Sequence, residues 1–226
     1  MYKYIIYPLI IFIIIALSAS AYVVITVEAD SDPYYFIDNP SPQIAFSFEI
    51  SCGEERLLDI LEILGENQVR ATFFITEPCL QNHLEKAKTI LIKGHEIGKR
   101  SFATKSFTDY SQEQISQQFI KFNELSEELL EYQPRLYRPP LGQYNQMLLS
   151  EAQNHGYTTA LWSIDARDYF YENDKDIYEH IISRLHYGAI VRFSTTSPEL
   201  IKILPQVIDY IKNEGMEITS ITGIMS

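Results

Sequence analysis

The sequence has few basic residues for its length. Its 18 lysines and arginines are outnumbered by 30 aspartates and glutamates, which gives a net charge of −12. An acidic surface repels phosphate backbones, so nucleic acid is excluded as a partner, and anionic lipid or wall polymer would be repelled in the same way. There is also no internal repeat and no low-complexity tract. With 226 residues, 46% of them hydrophobic, the chain can bury one sizeable core but hardly two.

Cysteine is scarce, with only Cys52 and Cys79 in the chain. An even number of cysteines in an oxidising compartment permits a disulfide, whereas free cysteines are commonly small buried thiols. Whether the two cysteines form a disulfide or remain free thiols therefore depends on the compartment in which the chain resides.

One long run lacks charge altogether, since no charged residue occurs from Ile5 through Val27. These 23 residues would span about 34 Å as a helix, enough to cross a bilayer. The competing interpretation is a cleaved secretory signal, because Ala19-Ser20-Ala21 resembles a cleavage site. The residues after that site remain apolar, which favours the interpretation that residues 1–27 form a membrane anchor. With Lys3 on the cytoplasmic side, either interpretation exports the rest of the chain.

Residues 28–42 are polar and marked by prolines, which predicts a short stalk ahead of a folded domain at 43–226. Within the domain, β-rich runs alternate with runs that carry apolar residues at helical spacing. Seven alternations predict parallel strands with outer helices, as a barrel or an open sheet, with the chemistry at the carboxyl ends of the strands. The predicted strands are 44–50, 70–76, 95–99, 136–138, 158–164, 188–193 and 216–221, and the predicted helices are 54–66, 81–93, 109–132, 144–155, 176–186 and 198–213.

Polar or reactive residues follow most of these strand ends. Cys52 and Cys79 follow the first two strands, which would be neighbours about 5 Å apart. That distance suits a disulfide, whose Cα atoms lie about 4.4–6.8 Å apart. We therefore expect a bridge, with two free thiols as the alternative. The other residues at strand ends are Glu49, Glu77, Arg100, Arg138, Asp165, Asp168 and Ser194.

Five motifs, in the same order, resemble those of the polysaccharide deacetylases, the NodB-homology carbohydrate esterases. FSFEISCG at 46–53 is similar to the family's T-F-D-D-G and more so to F-D-I-S-W-G of its sporulation-type members, and ATFF follows. The other similarities are GHEIGKRSFATKSF to G-H-E-I-G-N-H-T-x-x-H, YRPPLGQYN to R-P-P-Y-G, LWSIDARDY to W-S-x-D-x-x-D-W and GAIVRFS to G-x-I-V-L-L-H. The resemblance covers residues 41–226.

The resemblance implies an α/β fold, a NodB-like distorted (β/α) barrel of about seven parallel strands. It also implies a function on N-acetylated glycan, such as peptidoglycan or a chitin-like exopolysaccharide. The family reaction is hydrolysis of the N-acetyl amide. A divalent metal, usually zinc, is held by one Asp and two His, an Asp acts as base, and a His protonates the leaving amine.

This sequence departs from the family at most of the positions that carry the chemistry. The base aspartate falls on Glu49, which keeps the carboxylate but moves it one methylene, about 1.5 Å, further out. The metal-ligand positions fall on Ile50, Arg100 and Thr104; isoleucine has no lone pair and arginine is permanently protonated. The general-acid histidine falls on Ser194, whose hydroxyl is far too weak an acid. The family zinc site is lost by these changes, so we expect no cofactor.

Two supporting positions are retained. Arg138 falls on the arginine that tethers the base, and Asp168 on the aspartate that orients the acid histidine. Tyr169 replaces a tryptophan of the motif. The candidates for a substrate groove are Arg100, Pro139, Pro140, Asp165 and Tyr169.

Three functional hypotheses follow. The first is a membrane-tethered pseudoenzyme that binds wall glycan or scaffolds a protein partner, with Glu49 paired to Arg100 or Arg138. The second is an active N-deacetylase with rearranged metal ligands around an open position. The third is a structural exported domain whose barrel mouth is plugged by Leu141, Tyr169 and Phe193. The loss of ligands favours the first over the second, and the sequence leaves the first and third open.

Overall fold

The computed structural model describes residues 32–38, 41–50, 56–101, 110–170 and 173–226. The predicted membrane segment, residues 1–27, lies outside these ranges, as do Cys52 and Thr104. Among the described residues, no helix combines the length and the hydropathy that a bilayer-spanning segment requires.

Parallel strands alternate with helices along the domain, as the sequence predicts. The strands are β1 (Gln43–Glu49), β2 (Thr72–Ile75), β3 (Glu96–Arg100), β4 (Leu136–Arg138), β5 (Thr158–Thr159), β6 (Ile164–Asp165), β7 (Ile190–Ser194) and β8 (Glu217–Thr219). The helices are α1 (Leu57–Glu66), α2 (Glu77–Asn82), α3 (Leu84–Ile92), α4 (Gln112–Leu130), α5 (Gln146–Asn154), α6 (Asp174–Ile182), α7 (Leu200–Asn213) and α8 (Ile221–Met225), with a 3₁₀ turn at Pro140–Gly142.

The connectivity of the sheet forces it to curve. The strand order is β5-β4-β3-β2-β1-β7-β6, and β8 pairs with the start of β1. β5 and β6 are thus opposite edges, yet they are joined by only the short stretch between Thr159 and Ile164. A flat sheet of seven strands would separate its edges by about 29 Å, whereas this stretch reaches at most about 19 Å. The predicted fold is therefore confirmed as a parallel α/β half-barrel.

β1 is buried on both faces, as is usual for a central parallel strand. Phe46 and Phe48 point outward into the large core beneath the helices, where they contact Phe193 of β7. Because successive side chains of a strand point to opposite faces, Ser47 and Glu49 point into the barrel. The glutamate at the end of this apolar strand is thus an interior residue.

The predicted strand 158–164 is wrong as a single element. Its first part pairs with β4 as β5, and its last part pairs with β7 as β6. Between them, Arg138 donates from Nε to the carbonyl oxygen of Ala160 at 3.1 Å and from Nη2 to that of Leu161 at 2.8 Å. These bonds satisfy carbonyl groups at the point where the chain leaves one edge of the sheet for the other.

The predicted helix 81–93 is also in two pieces, α2 and α3. The break is at His83, whose φ of −136° and ψ of 45° are not helical. By contrast, α4 is one continuous helix, and Ser111 caps it in a reciprocal capping box with Gln114.

The described part of the predicted stalk, residues 32–38, contacts the barrel. The backbone N–H of Tyr34 donates to the carbonyl of Thr159, and the N–H of Leu161 donates to the carbonyl of Tyr34. The N–H of Ile37 donates to the carbonyl of Gly188. This segment therefore runs beside the connection between β5 and β6 and is attached to it.

Candidate functional site

Charged residues from five strands meet at the carboxyl end of the barrel. Glu49, Arg100, Arg138 and Asp165 are the last residues of β1, β3, β4 and β6, and Arg192 lies two residues before the end of β7. Parallel strands all end on the same side of a sheet, so these side chains converge there. The sequence predicts this convergence for the first four.

Both carboxylate oxygens of Glu49 accept hydrogen bonds from arginines. Arg192 donates to Oε1 from Nε at 2.8 Å and to Oε2 from Nη2 at 3.0 Å, which is a bidentate pair. Arg100 donates from Nη1 to Oε2 at 3.0 Å, so the expected ion pair between Glu49 and Arg100 is present. Arg138 approaches Oε1 with Nη1 at 3.9 Å. Three guanidinium groups therefore surround one carboxylate.

This environment makes Glu49 a very weak base. Only 8% of the residue is exposed, and burial alone would raise the pKa of its carboxyl group. The hydrogen bonds from Arg192 and the charges of Arg138, Arg192 and Arg100 outweigh burial and lower the pKa to about 2. The carboxylate is therefore held ionised at any ordinary pH.

Arg138 serves chiefly as an interior brace. It is fully buried and, besides its bonds to the connection between β5 and β6, donates from Nη2 to Ser47 Oγ at 3.0 Å. Its guanidinium carbon lies 3.9 Å from the centre of the Phe74 ring and 5.3 Å from that of Trp162. Its predicted contact with Glu49, the residue at the base position, is long, at 3.9 Å. Most of its hydrogen bonds go instead to backbone carbonyl groups.

Arg192 connects Glu49 to the rim of the barrel. Its Nη1 donates to Asp165 Oδ2 at 2.9 Å, and the Tyr169 hydroxyl donates to the same oxygen at 3.3 Å. The guanidinium lies over the rings of Trp162 at 4.7 Å and Tyr169 at 5.3 Å. Burial alone would lower the pKa of Arg192, but the hydrogen bonds to Glu49 and the charges of Glu49 and Asp165 raise it. This arginine is permanently charged.

Asp168 and Ser194 are neighbours, as their motif positions imply. The backbone N–H of Ser194 donates to Asp168 Oδ2 at 2.8 Å, while Oδ1 is buried and has no hydrogen-bond partner among the residues that the structure describes. Burial raises the pKa of Asp168 to about 7, although the bond from Ser194 opposes that shift. The Ser194 hydroxyl bonds to Thr196 Oγ1 at 2.8 Å instead of to Asp168. The aspartate is thus retained without a histidine to orient.

The predicted groove residues lie around this cluster. Pro139 is buried and Pro140 half-buried, at the 3₁₀ turn that follows β4. Tyr169 is 56% exposed. The proposed plug is not formed by the three residues named for it, since Leu141 and Tyr169 are exposed and Phe193 lies in the core on the outer face of the sheet.

The structure describes two of the three residues at the family's metal-ligand positions. One has an apolar side chain and the other is a cation. Ile50 is buried among apolar residues, and Arg100 is ion-paired to Glu49. Within the described ranges, no three His, Cys, Asp or Glu side chains are grouped as a metal site requires. Cys79 is buried in α2, and its predicted bridge to Cys52 stays a prediction.

Sequence reasoning missed Arg192, which is the bidentate partner of Glu49 and also binds Asp165. The signal was an arginine inside the apolar strand GAIVRFS, at a position where the family motif has leucine. In the register of β1 and β7, Arg192 lies beside Ser47, whose side chain points into the barrel. An arginine on that face must find an acid inside the barrel.

Comparisons with known proteins agree with this fold. The model of the polysaccharide deacetylase family matches residues 37–160. Among curated proteins, the chain is 29% identical over 194 residues to the uncharacterised protein YlxY of Bacillus subtilis, covering 86% of this chain and 60% of that one. It is 28% identical to the peptidoglycan-N-acetylmuramic acid deacetylase PdaA of B. subtilis, covering 86% and 75%. The chain thus spans less than two thirds of YlxY.

Among solved structures, the fold matches BA3943 of Bacillus anthracis, described as a CE4-family pseudoenzyme. The TM-score is 0.83 at 24% identity, over 88% of this chain and 70% of that one. A mutant of BA3943 is described as having restored enzymatic activity. Since the family model covers more than half of the sequence, the chain belongs to the polysaccharide deacetylase family.

Proposed function

We propose that this chain is a member of the polysaccharide deacetylase family that binds N-acetylated cell-wall glycan without hydrolysing it. The observation that carries the proposal is the state of Glu49 at the base position. Its two oxygens accept three arginine hydrogen bonds, and its pKa is lowered to about 2. An efficient general base has a pKa near the working pH. A carboxylate held in this way has little tendency to take a proton from water.

The proposal includes the loss of the family metal. A catalytic zinc needs three protein ligands with lone pairs and an open fourth position. Ile50 has no such atom, and the Arg100 and Arg192 guanidinium groups, both donors, occupy the oxygens of Glu49. The residues present do not fit zinc. Arg100 and Arg192 instead provide fixed positive charge in the same part of the barrel.

The general acid is also missing from the described site. Ser194 stands at the histidine position, and Asp168 binds the backbone N–H of Ser194 in place of an imidazole. Without a group to protonate the leaving amine, amide cleavage would lack one of its main contributions. We propose that the fold is retained for binding or for scaffolding a protein partner.

A glycan ligand is supported by the exposed aromatic residue at the barrel mouth and by the relatives. Tyr169 is half exposed, with its hydroxyl bonded to Asp165 next to the arginine cluster. PdaA, one of the relatives, acts on peptidoglycan N-acetylmuramic acid. An aromatic face stacked on a sugar ring, together with polar groups beside it, is a suitable arrangement for a neutral N-acetylated sugar.

We further propose that residues 1–27 anchor the domain to the cell membrane as a single span, with the domain on the extracytoplasmic side. The charge-free run and the oxidising compartment it implies support this location and a Cys52–Cys79 disulfide. Secretion after signal cleavage is the alternative. Mapping peptides of the exported protein with and without reductant tests the disulfide, and two free thiols would contradict it.

The experiment combines binding and acetate release with one set of N-acetylglucosamine oligomers and the full chain. We expect binding without release of acetate. Tyr169→Ala should weaken binding by about 1 kcal/mol, roughly fivefold, through lost stacking. The matched control is Tyr187→Ala, which removes a tyrosine of similar exposure, 55%, that precedes β7 at the opposite end of the strands. Equal effects of the two substitutions would contradict glycan binding at the mouth, and acetate release would favour an active deacetylase.

A further inference from the structure

Lys99 is a buried amine that the proposed glycan site does not use. It lies on β3 next to Arg100 but points to the outer face of the sheet, towards α4. Only 2% of the residue is exposed. Its Nζ is 4.6 Å from the centre of the Phe122 ring and 5.4 Å from that of Phe119. The family motif resembled by this segment has asparagine at the position of Lys99.

Lys99 lines a cavity of about 200 Å³ between β3, α2 and α4. The walls are formed by Glu77, Pro78, Lys99, Arg100 and Gln118. At about 30 Å³ per molecule in the liquid, this is the volume of six or seven waters. Lys99 makes no salt bridge or hydrogen bond with any of the residues that the structure describes. A buried lysine with no acceptor among the described residues, in the wall of a cavity, is unusual for a merely structural residue.

Burial, and not the charge of its neighbours, favours the neutral form of the Lys99 amine. Burial lowers the pKa of Lys99 to about 7, and the charge of Glu77 only partly opposes this. Glu77 is itself paired, with its Oε1 2.5 Å from Lys121 Nζ on α4. Arg100, on the same strand, adds a second positive charge near the cavity. A neutral amine with a lone pair is the form that acts as a nucleophile.

We propose that Lys99 forms an imine with a small carbonyl compound, an aldehyde or a 2-oxo acid, bound in this cavity. The lone pair of Nζ attacks the carbonyl carbon, and the π electrons of the C=O bond move to oxygen. The nitrogen loses both of its protons in turn, the former carbonyl oxygen gains two, and it leaves as water as the C=N bond forms. No oxidant or reductant is needed. Glu77, on the cavity wall, can exchange these protons.

The test treats the full chain, in amine-free buffer with detergent, with glyoxylate and cyanoborohydride, which reduces an imine to a stable adduct. Labelled lysines are identified by peptide mass spectrometry. At pH 7 an amine with a pKa of 7 is half neutral, whereas an ordinary lysine is neutral in about one molecule in 2,500. We expect Lys99 to be labelled at least tenfold faster than Lys121 and Lys175, which are 62% and 77% exposed. The preference should fall as the pH approaches 10, because ordinary lysines then become neutral.

Two variants serve as controls. Lys99→Met keeps an apolar stem between Phe119 and Phe122 and should remove the fast-reacting site, while Glu77→Gln should slow labelling at Lys99 severalfold. Circular dichroism reports whether each variant is folded. Labelling of Lys99 no faster than Lys121 in the unmodified chain at pH 7 would overturn the proposal, and that comparison does not depend on any variant.

Discussion

Replacing Glu49 by glutamine removes the negative charge at the centre of the arginine cluster. The cluster contains Glu49 and Asp165 against Arg100, Arg138 and Arg192, so its net charge rises from +1 to +2. A pKa of about 2 in place of 4.5 corresponds to about 3 kcal/mol of stabilisation of the carboxylate. Breaking a buried ion pair from one side costs about 3–5 kcal/mol, because the opposite charges stay buried. We expect Glu49→Gln to lower the free energy of unfolding by about 3 kcal/mol.

The lowered pKa of Glu49 also makes its contribution to stability depend on pH. The pKa of Glu49 is lower in the folded chain than in the unfolded chain, so its contribution is fully present above about pH 4.5. It is lost as the pH falls towards 2, where the folded carboxylate takes up a proton. The difference in stability between the unmodified chain and Glu49→Gln should therefore be largest near neutral pH and should shrink below pH 4.

The assay is urea unfolding of both proteins between pH 2 and 7. The matched control is Glu85→Gln, because Glu85 pairs with Lys88 at 3.6 Å but has an 88% exposed side chain. We expect that substitution to change stability by no more than about 0.5 kcal/mol. A loss below about 1 kcal/mol for Glu49→Gln, or a loss that does not depend on pH, would refute the view that Glu49 is held by the arginines.

Three further substitutions test other parts of the account. Burial raises the pKa of Asp168 from 3.8 to about 7, so the stability linked to its protonated form is lost as the pH rises from about 4 to 7. Asp168→Asn should therefore flatten the dependence of the urea midpoint on pH between 4 and 7, and an unchanged slope would contradict this. Gly98→Ala would place a Cβ 2.6 Å from Phe74 Cε1 and should destabilise the fold by about 1–3 kcal/mol in thermal unfolding. Gly65→Ala is the control and should not destabilise it, because no described atom lies within 4 Å of the added Cβ. Ser111→Ala removes the cap of α4 and should lower the stability by about 1 kcal/mol in thermal unfolding. An unchanged stability would mean that the cap does not contribute.

The sequence predicts the fold well because its signals are local. The alternation of apolar strands with amphipathic helices requires only neighbouring residues, and it correctly gives parallel strands, at whose carboxyl ends the charged residues meet. The capping box at Ser111 is local in the same way. The interrupted strand at 158–164 was missed because its break depends on Arg138, a residue 22 and 23 positions away from the carbonyls it binds.

The candidate site was predicted only in part, for a similar reason. The motif order identifies Glu49 and Arg100 as neighbours, and their ion pair is present. The bidentate partner of Glu49 is Arg192, 143 positions later, and it occupies a position to which the family motif assigns no chemistry. Only the register between β1 and β7 brings the two together. An arginine within an apolar strand is the signal that sequence reasoning should weigh more heavily.

We propose that arginines occupy the place where the family binds its metal. The most direct measurement is the zinc content of the purified full chain after incubation with excess zinc and removal of the unbound ion, made alongside acetate release from N-acetylglucosamine oligomers. The account predicts less than one tenth of an equivalent of tightly bound zinc and no acetate above the buffer control. One equivalent of zinc together with turnover that Glu49→Gln abolishes would contradict it.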